Sequence, residues 1–284
     1  MLYCFCALLF IWIVAVQAGC LSMRTSDKKW KEQLQQKGQV LEPHFYNIPS
    51  EKGRRIHAIA ISRQDSLPLI VLLHGSPGSA DAFMSYLADS ALSEKARLVA
   101  IDRPGFGYSS GFGKPEPSQS VQAAAVKSVI DSLAPGKPVL LVGHSLGCSV
   151  IARFAMDYPK LAAGLILVAG SVDPAQEKHP WWQSLFDKKP FRWLIPKSMW
   201  TSNAEIIPLE NELTEMLPMW EKVTCPVTLV HAKNDALVPV ANIDFAQKML
   251  VNSSHVQVEL LQKGNHFILW TRVDLIRKII LQHL

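Results

Sequence analysis

Cysteine is scarce in the part of this chain that can fold. Of the five cysteines, Cys4 and Cys6 lie in an apolar leader and Cys20 sits just beyond it, which leaves Cys148 and Cys225 for a folded body. Two such thiols rule out a disulfide framework and supply no metal-ligand spacing. Both read as small core residues, Cys148 on a helix and Cys225 at the opening of an apolar strand. Charge of one sign is lacking as well: 29 Lys and Arg stand against 24 Asp and Glu, a net of +5. The excess is scattered, with no basic block and no interleaved aromatics, which argues against nucleic acid as a partner. Internal repeats and low-complexity tracts are absent.

Charge is missing altogether from residues 1–18, which are almost entirely apolar and end at Gln17-Ala18-Gly19-Cys20 before a polar, basic stretch that begins near Arg24. This resembles a bacterial lipoprotein signal, in which small residues precede a cysteine that takes the lipid. The resemblance implies a signal peptide over residues 1–19, lipidation at Cys20, a tether over 20–36 and a membrane-anchored enzyme of the cell envelope. Two alternatives stay open. A single transmembrane anchor needs about this many apolar residues, and Arg24, Lys28, Lys29 and Lys31 on its flank would then hold the body on the cytoplasmic side. Plain secretion, to the periplasm or beyond, is the other.

The 284 residues, 49% of them hydrophobic, suffice for one large domain with a sizeable core. Residues 44–48 and 55–61 read as a leading hairpin that turns near Glu51-Lys52-Gly53. Short aliphatic runs follow at 67–73, 98–101, 139–142, 165–168, 227–230 and 256–261. Between most of them lie helical patterns, at 80–92, 120–133, 146–157, 240–250 and 270–283. Strands apolar on both faces that alternate with helices predict an α/β fold whose mostly parallel sheet carries helices on both faces. One segment breaks the alternation. Residues 171–223 show no strand signal, yet they hold Trp181, Trp182, Trp193, Trp200 and Trp220, five of the eight tryptophans. Prolines cut this segment into short helices. It reads as a helical lid over the carboxyl ends of the strands, between a first core part, 37–170, and a second, 224–284. Its tryptophans are expected to make the space beneath it apolar.

The most informative stretch is Gly143-His144-Ser145-Leu146-Gly147, directly after the apolar run that ends at Val142. A strand that turns sharply into a helix needs glycine two residues before and two after the turn, because a Cβ there would collide with its neighbours. A serine hydroxyl held on such a turn is a candidate nucleophile. A free serine is a poor one, so a histidine base and an acid that orients it are required.

Five motifs in order identify the chain as similar to the α/β-hydrolase fold superfamily, in its capped serine-esterase branch with an eight-stranded type of sheet. They are His74-Gly75-Ser76-Pro77-Gly78-Ser79, Asp102-Arg103-Pro104-Gly105-Phe106-Gly107-Tyr108-Ser109, the serine turn, Asn234-Asp235 and Gly264-Asn265-His266. The resemblance implies a nucleophile at Ser145, a base at His266 and an acid at Asp235, with Asp173 as the rival acid. It implies oxyanion donors at the backbone N–H groups of Leu146 and Ser76, with Pro77 fixing the loop through a cis bond. Asp102 is expected to tie a turn, through local backbone or Arg103. No metal or organic cofactor is implied. The expected reaction is hydrolysis of a small, largely apolar ester. Hydrolysis of C–C, thioester, lactone or amide bonds by the same triad stays open, as does a non-catalytic binding module.

Overall fold

The structure is a computed structural model that describes residues 2–17, 23–50, 53–188 and 191–284. Eight strands form one sheet: β1 (His44–Pro49), β2 (Arg55–Ile61), β3 (Leu69–Leu73), β4 (Arg97–Ile101), β5 (Val139–His144), β6 (Ala162–Val168), β7 (Val227–Ala232) and β8 (Val256–Leu261). Their order in the sheet is β1-β2-β4-β3-β5-β6-β7-β8. The β1–β2 and β2–β4 pairings are antiparallel, and every pairing from β4 to β8 is parallel.

The residue pattern explains the doubly covered sheet. In β3, Leu69, Val71 and Leu73 face one apolar core while Ile70 and Leu72 face the other; in β6, Leu165 and Leu167 oppose Ile166 and Val168 in the same way. A strand with both faces in apolar cores has no polar position to alternate with, hence the continuous aliphatic runs. The helices Gln119–Leu133 and Leu146–Asp157 cover the first face, and Val273–Gln282 packs on the second.

Strand order places the site. Chain order runs from β3 outward to β4 and then back across to β5, so the crevice at the carboxyl ends of β3 and β5 is a topological switch point, where open α/β sheets bind ligands. Leu73 pairs with Gly143, which sets the loop after β3 beside the loop after β5. Pairing of His144 with Val168, of Val168 with Val230 and of Ala232 with Leu261 brings the ends of β5, β6, β7 and β8 to the same edge.

Several expectations are corrected in detail. The helix expected over 80–92 is three short pieces, Ala80–Phe83, Met84–Leu87 and Ser90–Ser93. Asp89 breaks it, leaving the helical region (φ −79°, ψ 112°) to accept a hydrogen bond from the Leu92 amide as a new N-cap. The last helix is likewise split, into Ile268–Thr271 and Val273–Gln282, by Arg272, which leaves the helical region (φ −130°, ψ 39°). The turn at Glu51-Lys52 lies outside the described residues.

The segment expected as a tether is packed instead, over its described part. In the helix Asp27–Gln36, Trp30 and Leu34 are buried among Ile59, Ile61 and the second core. The Thr25 hydroxyl donates to Asp81 at 2.9 Å. Asp27 lies 3.1 Å from His57 Nε2. A polar-looking stretch with one apolar pair at i and i+4 can dock through that pair alone. Further upstream, the helix Leu2–Gln17 exposes Leu8, Phe10, Ile11 and Trp12. Among the described residues no helix is long and apolar enough to cross a membrane. Cys20 lies outside the described residues.

Candidate active site

Ser145 sits between β5 and the helix Leu146–Asp157 with φ 54° and ψ −125°, a conformation that a non-glycine residue adopts only under constraint. The constraint is visible at the two flanking glycines. A Cβ on Gly143 would fall 2.7 Å from the carbonyl oxygen of Gly147, and one on Gly147 would fall 2.4 Å from that of Leu73. The turn therefore closes only with hydrogen at both positions, and the Ser145 amide donates to the Val168 carbonyl at 3.0 Å to pin it to β6.

The residues expected as base and acid come from the next two loops along the sheet edge. His266, after β8, places Nδ1 at 2.8 Å from Asp235 Oδ2, after β7. The second Asp235 oxygen accepts from the Leu237 and Val238 amides, both at 2.9 Å. Burial disfavours ionisation of Asp235, but the hydrogen bonds from His266 and from Val238 and Leu237 outweigh it and hold the carboxyl below its usual value. An ionised carboxylate only accepts, so His266 Nδ1 must carry the proton and Nε2 is left with its lone pair. Ser145 and His266 line the same cavity. No direct hydrogen bond joins them among the described residues, as is common before substrate tightens a site.

Asp173, the rival acid, serves a different purpose. Its Oδ1 accepts from the Ala175 amide at 3.0 Å and caps the short turn of helix Pro174–Gln176. His231 stands behind Asp235 and donates toward the Val238 carbonyl. His144 is fully enclosed, and burial together with the neighbouring His266 lowers its pKa to about 3.

The loop after β3 lies against Ser145. A Cβ on Gly75 would come within 2.8 Å of Ser145 Cβ, so this glycine permits the approach. The Ser76–Pro77 peptide is cis. The Ser76 and Leu146 amides donate to no acceptor among the described residues. Both residues border the cavity beside Ser145, and the Leu146 amide opens a helix, where dipole and free N–H favour negative charge.

The cavity has a volume of about 620 Å³. Its apolar wall is Phe186, Ile195, Met199, Ile206, Leu209 and Leu237, while Glu177, His179 and Gln183 contribute polar groups. This corrects the role expected for tryptophan. None of the described tryptophan side chains lines the cavity: Trp220 is buried in the first core, whereas Trp181 and Trp193 face outward. Tryptophans spaced along short helices separated by prolines need not face the same cavity, and Trp193 and Trp200 line a separate groove with Arg192.

Of the two settings expected for Asp102, the backbone one is found. Asp102 accepts from the Ala80 and Tyr108 amides at 2.7 and 2.8 Å and from His57 at 2.7 Å, and does not pair with Arg103. Arg103 instead holds the His74 and Gly75 carbonyls, each at 3.0 Å. Its charge is met at 3.0 Å by Glu205, from the lid helix Lys197–Ile206. Burial pushes the Glu205 acid up to about 7 despite the pull of Arg103. Nothing in the sequence singles out Glu205, because its partner lies 102 positions away. Among the described residues no cluster of His, Cys, Asp or Glu could hold a metal ion.

Known proteins resemble this chain in sequence over part of their length, and others resemble it in fold. Over 123 residues the chain is 35% identical to epoxide hydrolase B of Mycobacterium tuberculosis, covering 43% of this chain and 34% of that protein. Over 166 residues it is 25% identical to a probable 1-acylglycerol-3-phosphate O-acyltransferase of Oryza sativa subsp. japonica, covering 56% of this chain and 39% of that protein. The chain thus matches well under half the length of either relative. Among solved structures, a membrane phospholipase A described as a bacterial virulence factor superposes with a TM-score of 0.67 at 18% identity, covering 100% of this chain and 98% of that one. An esterase from Rhodococcus sp. superposes with a TM-score of 0.64 at 19% identity, covering 84% of this chain and 98% of that one. At these identities the superpositions speak for the fold. The model of the alpha/beta hydrolase family matches residues 70–277, which takes in the serine turn, Asp235 and His266, and the chain belongs to that family.

Proposed function

We propose that this protein is a serine hydrolase that cleaves small, largely apolar carboxylic esters. The observation that carries the reading is the His266–Asp235 pair. With Nδ1 committed to an ionised Asp235 at 2.8 Å, Nε2 is the free base on the wall that also presents Ser145. Ser145 Oγ attacks the ester carbonyl as its proton passes to His266 Nε2, and the carbonyl oxygen takes up negative charge facing the Leu146 and Ser76 amides. Collapse of this adduct breaks the C–O bond to the alcohol, which leaves with the proton from His266. Water then attacks the acyl-enzyme, losing its proton to His266, and the acid departs as Ser145 recovers its proton. A serine at the elbow disfavours epoxide opening through an alkyl-enzyme ester, which needs a carboxylate nucleophile.

The test is hydrolysis of short p-nitrophenyl esters by the purified protein and by Ser145→Ala. Parental rates in the variant would overturn the assignment. Covalent labelling of the parent by a fluorophosphonate, lost in the variant, separates an enzyme from a binding module.

We propose further that the enzyme works at a membrane. Exposed Leu8, Phe10, Ile11, Trp12 and Val14 on the helix Leu2–Gln17 form more apolar surface than a helix in water carries without a partner. Lipidation at Cys20, with residues 1–19 removed, would be the alternative anchor in place of this helix. Recovery of the full-length protein in the soluble fraction after cell lysis would count against this placement.

A further inference from the structure

The lid does more than wall the cavity. Glu205 is fully buried, and its carboxylate reaches three groups that belong to the core and not to the lid. Oε2 accepts from Arg103 Nη1 at 3.0 Å and from the Ser76 hydroxyl at 3.1 Å, and Oε1 accepts from Gln122 Nε2 at 3.4 Å. Arg103 in turn donates to the carbonyls of His74 and Gly75, and to Gln122 Oε1 at 2.6 Å. Arg103, Gln122 and the Ser76 hydroxyl, all at or beside the loop that runs from His74 to Ser76, therefore converge on one carboxylate delivered by the lid helix.

We propose that Glu205 is a positioning residue for the oxyanion pocket, holding the Ser76 peptide, through the Ser76 hydroxyl and Arg103, where its N–H can meet the developing negative charge. The proposal rests on the ester-hydrolase reading above and adds to it that the pocket is complete only while the lid helix is seated.

The physical argument is one of geometry and cost. Burying a carboxylate and a guanidinium is expensive, and such a pair is retained without gain in stability over an apolar replacement. Here it is placed where small displacements matter. The Ser76 side chain and the Ser76 amide belong to one residue with its hydroxyl anchored on Glu205, so release of that anchor frees the peptide to rotate. A shift of about 1 Å in a group that stabilises the transition state can lower the rate by about 100-fold. Glu205 itself does not line the cavity, whereas Ser76 does, so the effect must be transmitted through Ser76.

The experiment compares full-length Glu205→Ala, Glu205→Gln and Ser76→Ala with the parent, using kcat and KM for p-nitrophenyl butyrate and the Ki of a trifluoromethyl ketone. That ketone is attacked by Ser145 to give a tetrahedral adduct whose oxygen needs the pocket. Glu205→Ala is expected to lower kcat by about 30- to 100-fold with KM changed by less than about threefold, and to weaken the ketone in proportion to kcat/KM. Glu205→Gln keeps an oxygen that can accept from Ser76 and Arg103, and is expected to recover at least about tenfold of that loss. Ser76→Ala, which keeps the ion pair, is expected to lower kcat by about three- to tenfold. Parental kcat and Ki in a Glu205→Ala protein with native circular dichroism and a cooperative melt would overturn the proposal. So would equal losses in Glu205→Ala and Glu205→Gln. Should Glu205→Ala not fold, Ser76→Ala decides, and parental kcat there overturns it. Ser145→Ala separates the two readings: activity retained in that variant sinks the nucleophile assignment, whereas an inactive Ser145→Ala beside a fully active Glu205→Ala sinks only the role of Glu205.

Discussion

His144 Nε2 lies 3.1 Å from the carbonyl oxygen of His266, so the residue just before Ser145, the proposed nucleophile, grips the backbone of the proposed base 122 positions later. The two rings are 4.8 Å apart, and Trp270 closes the far side of His144 at 4.9 Å. Burial keeps His144 neutral, with its pKa at about 3, which leaves one ring N–H for the carbonyl and no positive charge to repel a protonated His266 during the reaction.

From this contact follows a loss of rate without a loss of binding. His144→Ala removes the donor and a ring that packs against the base, so the His266 loop is less well fixed. The expected result is a fall in kcat of about 10- to 100-fold with KM nearly unchanged, since a misplaced catalytic group costs rate on this scale. Steady-state kinetics on a short p-nitrophenyl ester checks it, and a variant with parental kcat would show that the backbone grip is dispensable.

Asp235 and Asp173 give a sharper contrast. Asp235→Asn would present an amide to His266, with its NH2 or its oxygen toward Nδ1, and would no longer fix the tautomer that leaves Nε2 free. In triads of this kind such a change lowers kcat by about 10⁴-fold while leaving the geometry in place. Asp173→Asn alters only a turn that the asparagine oxygen can still cap, and a change of less than about threefold is expected. Measured side by side, comparable losses in the two variants would contradict the assignment of the acid.

The sheet and the serine turn were legible because they are local patterns with one meaning each. Uninterrupted aliphatic runs such as Leu69–Leu73 signal strands buried on both faces, and the two glycines around Ser145 signal a turn that tolerates no Cβ. What was not legible depends on partners far apart in sequence. Arg103 gave no sign that its counter-charge would come from the lid, and Asp102 none that it would bind His57. The packing of Trp30 and Leu34 onto the core was hidden by the polar composition of the segment around them. The lid tryptophans misled for a related reason. An aromatic count reports apolar area, but which way each ring faces is decided by short helices whose relative orientation no periodicity records.

The packed N-terminal segment carries the last prediction. His57 is held between two carboxylates, with Nδ1 at 2.7 Å from Asp102 and Nε2 at 3.1 Å from Asp27. Burial works to lower its pKa, but the bonds and charges of Asp102 and then Asp27 prevail and raise it above 6.5. A group whose pKa is raised by folding stabilises the folded state fully below its unfolded value and loses that contribution as pH climbs through the folded one. His57→Gln removes the titration while leaving a polar side chain of similar reach. The parent should therefore melt above the variant by the widest margin at about pH 6, and the margin should narrow steadily toward about pH 9, by about 2–4 °C for each 1 kcal/mol lost. Thermal unfolding followed by circular dichroism over that range decides the matter, because a margin that stays constant with pH would mean that His57 contributes packing alone.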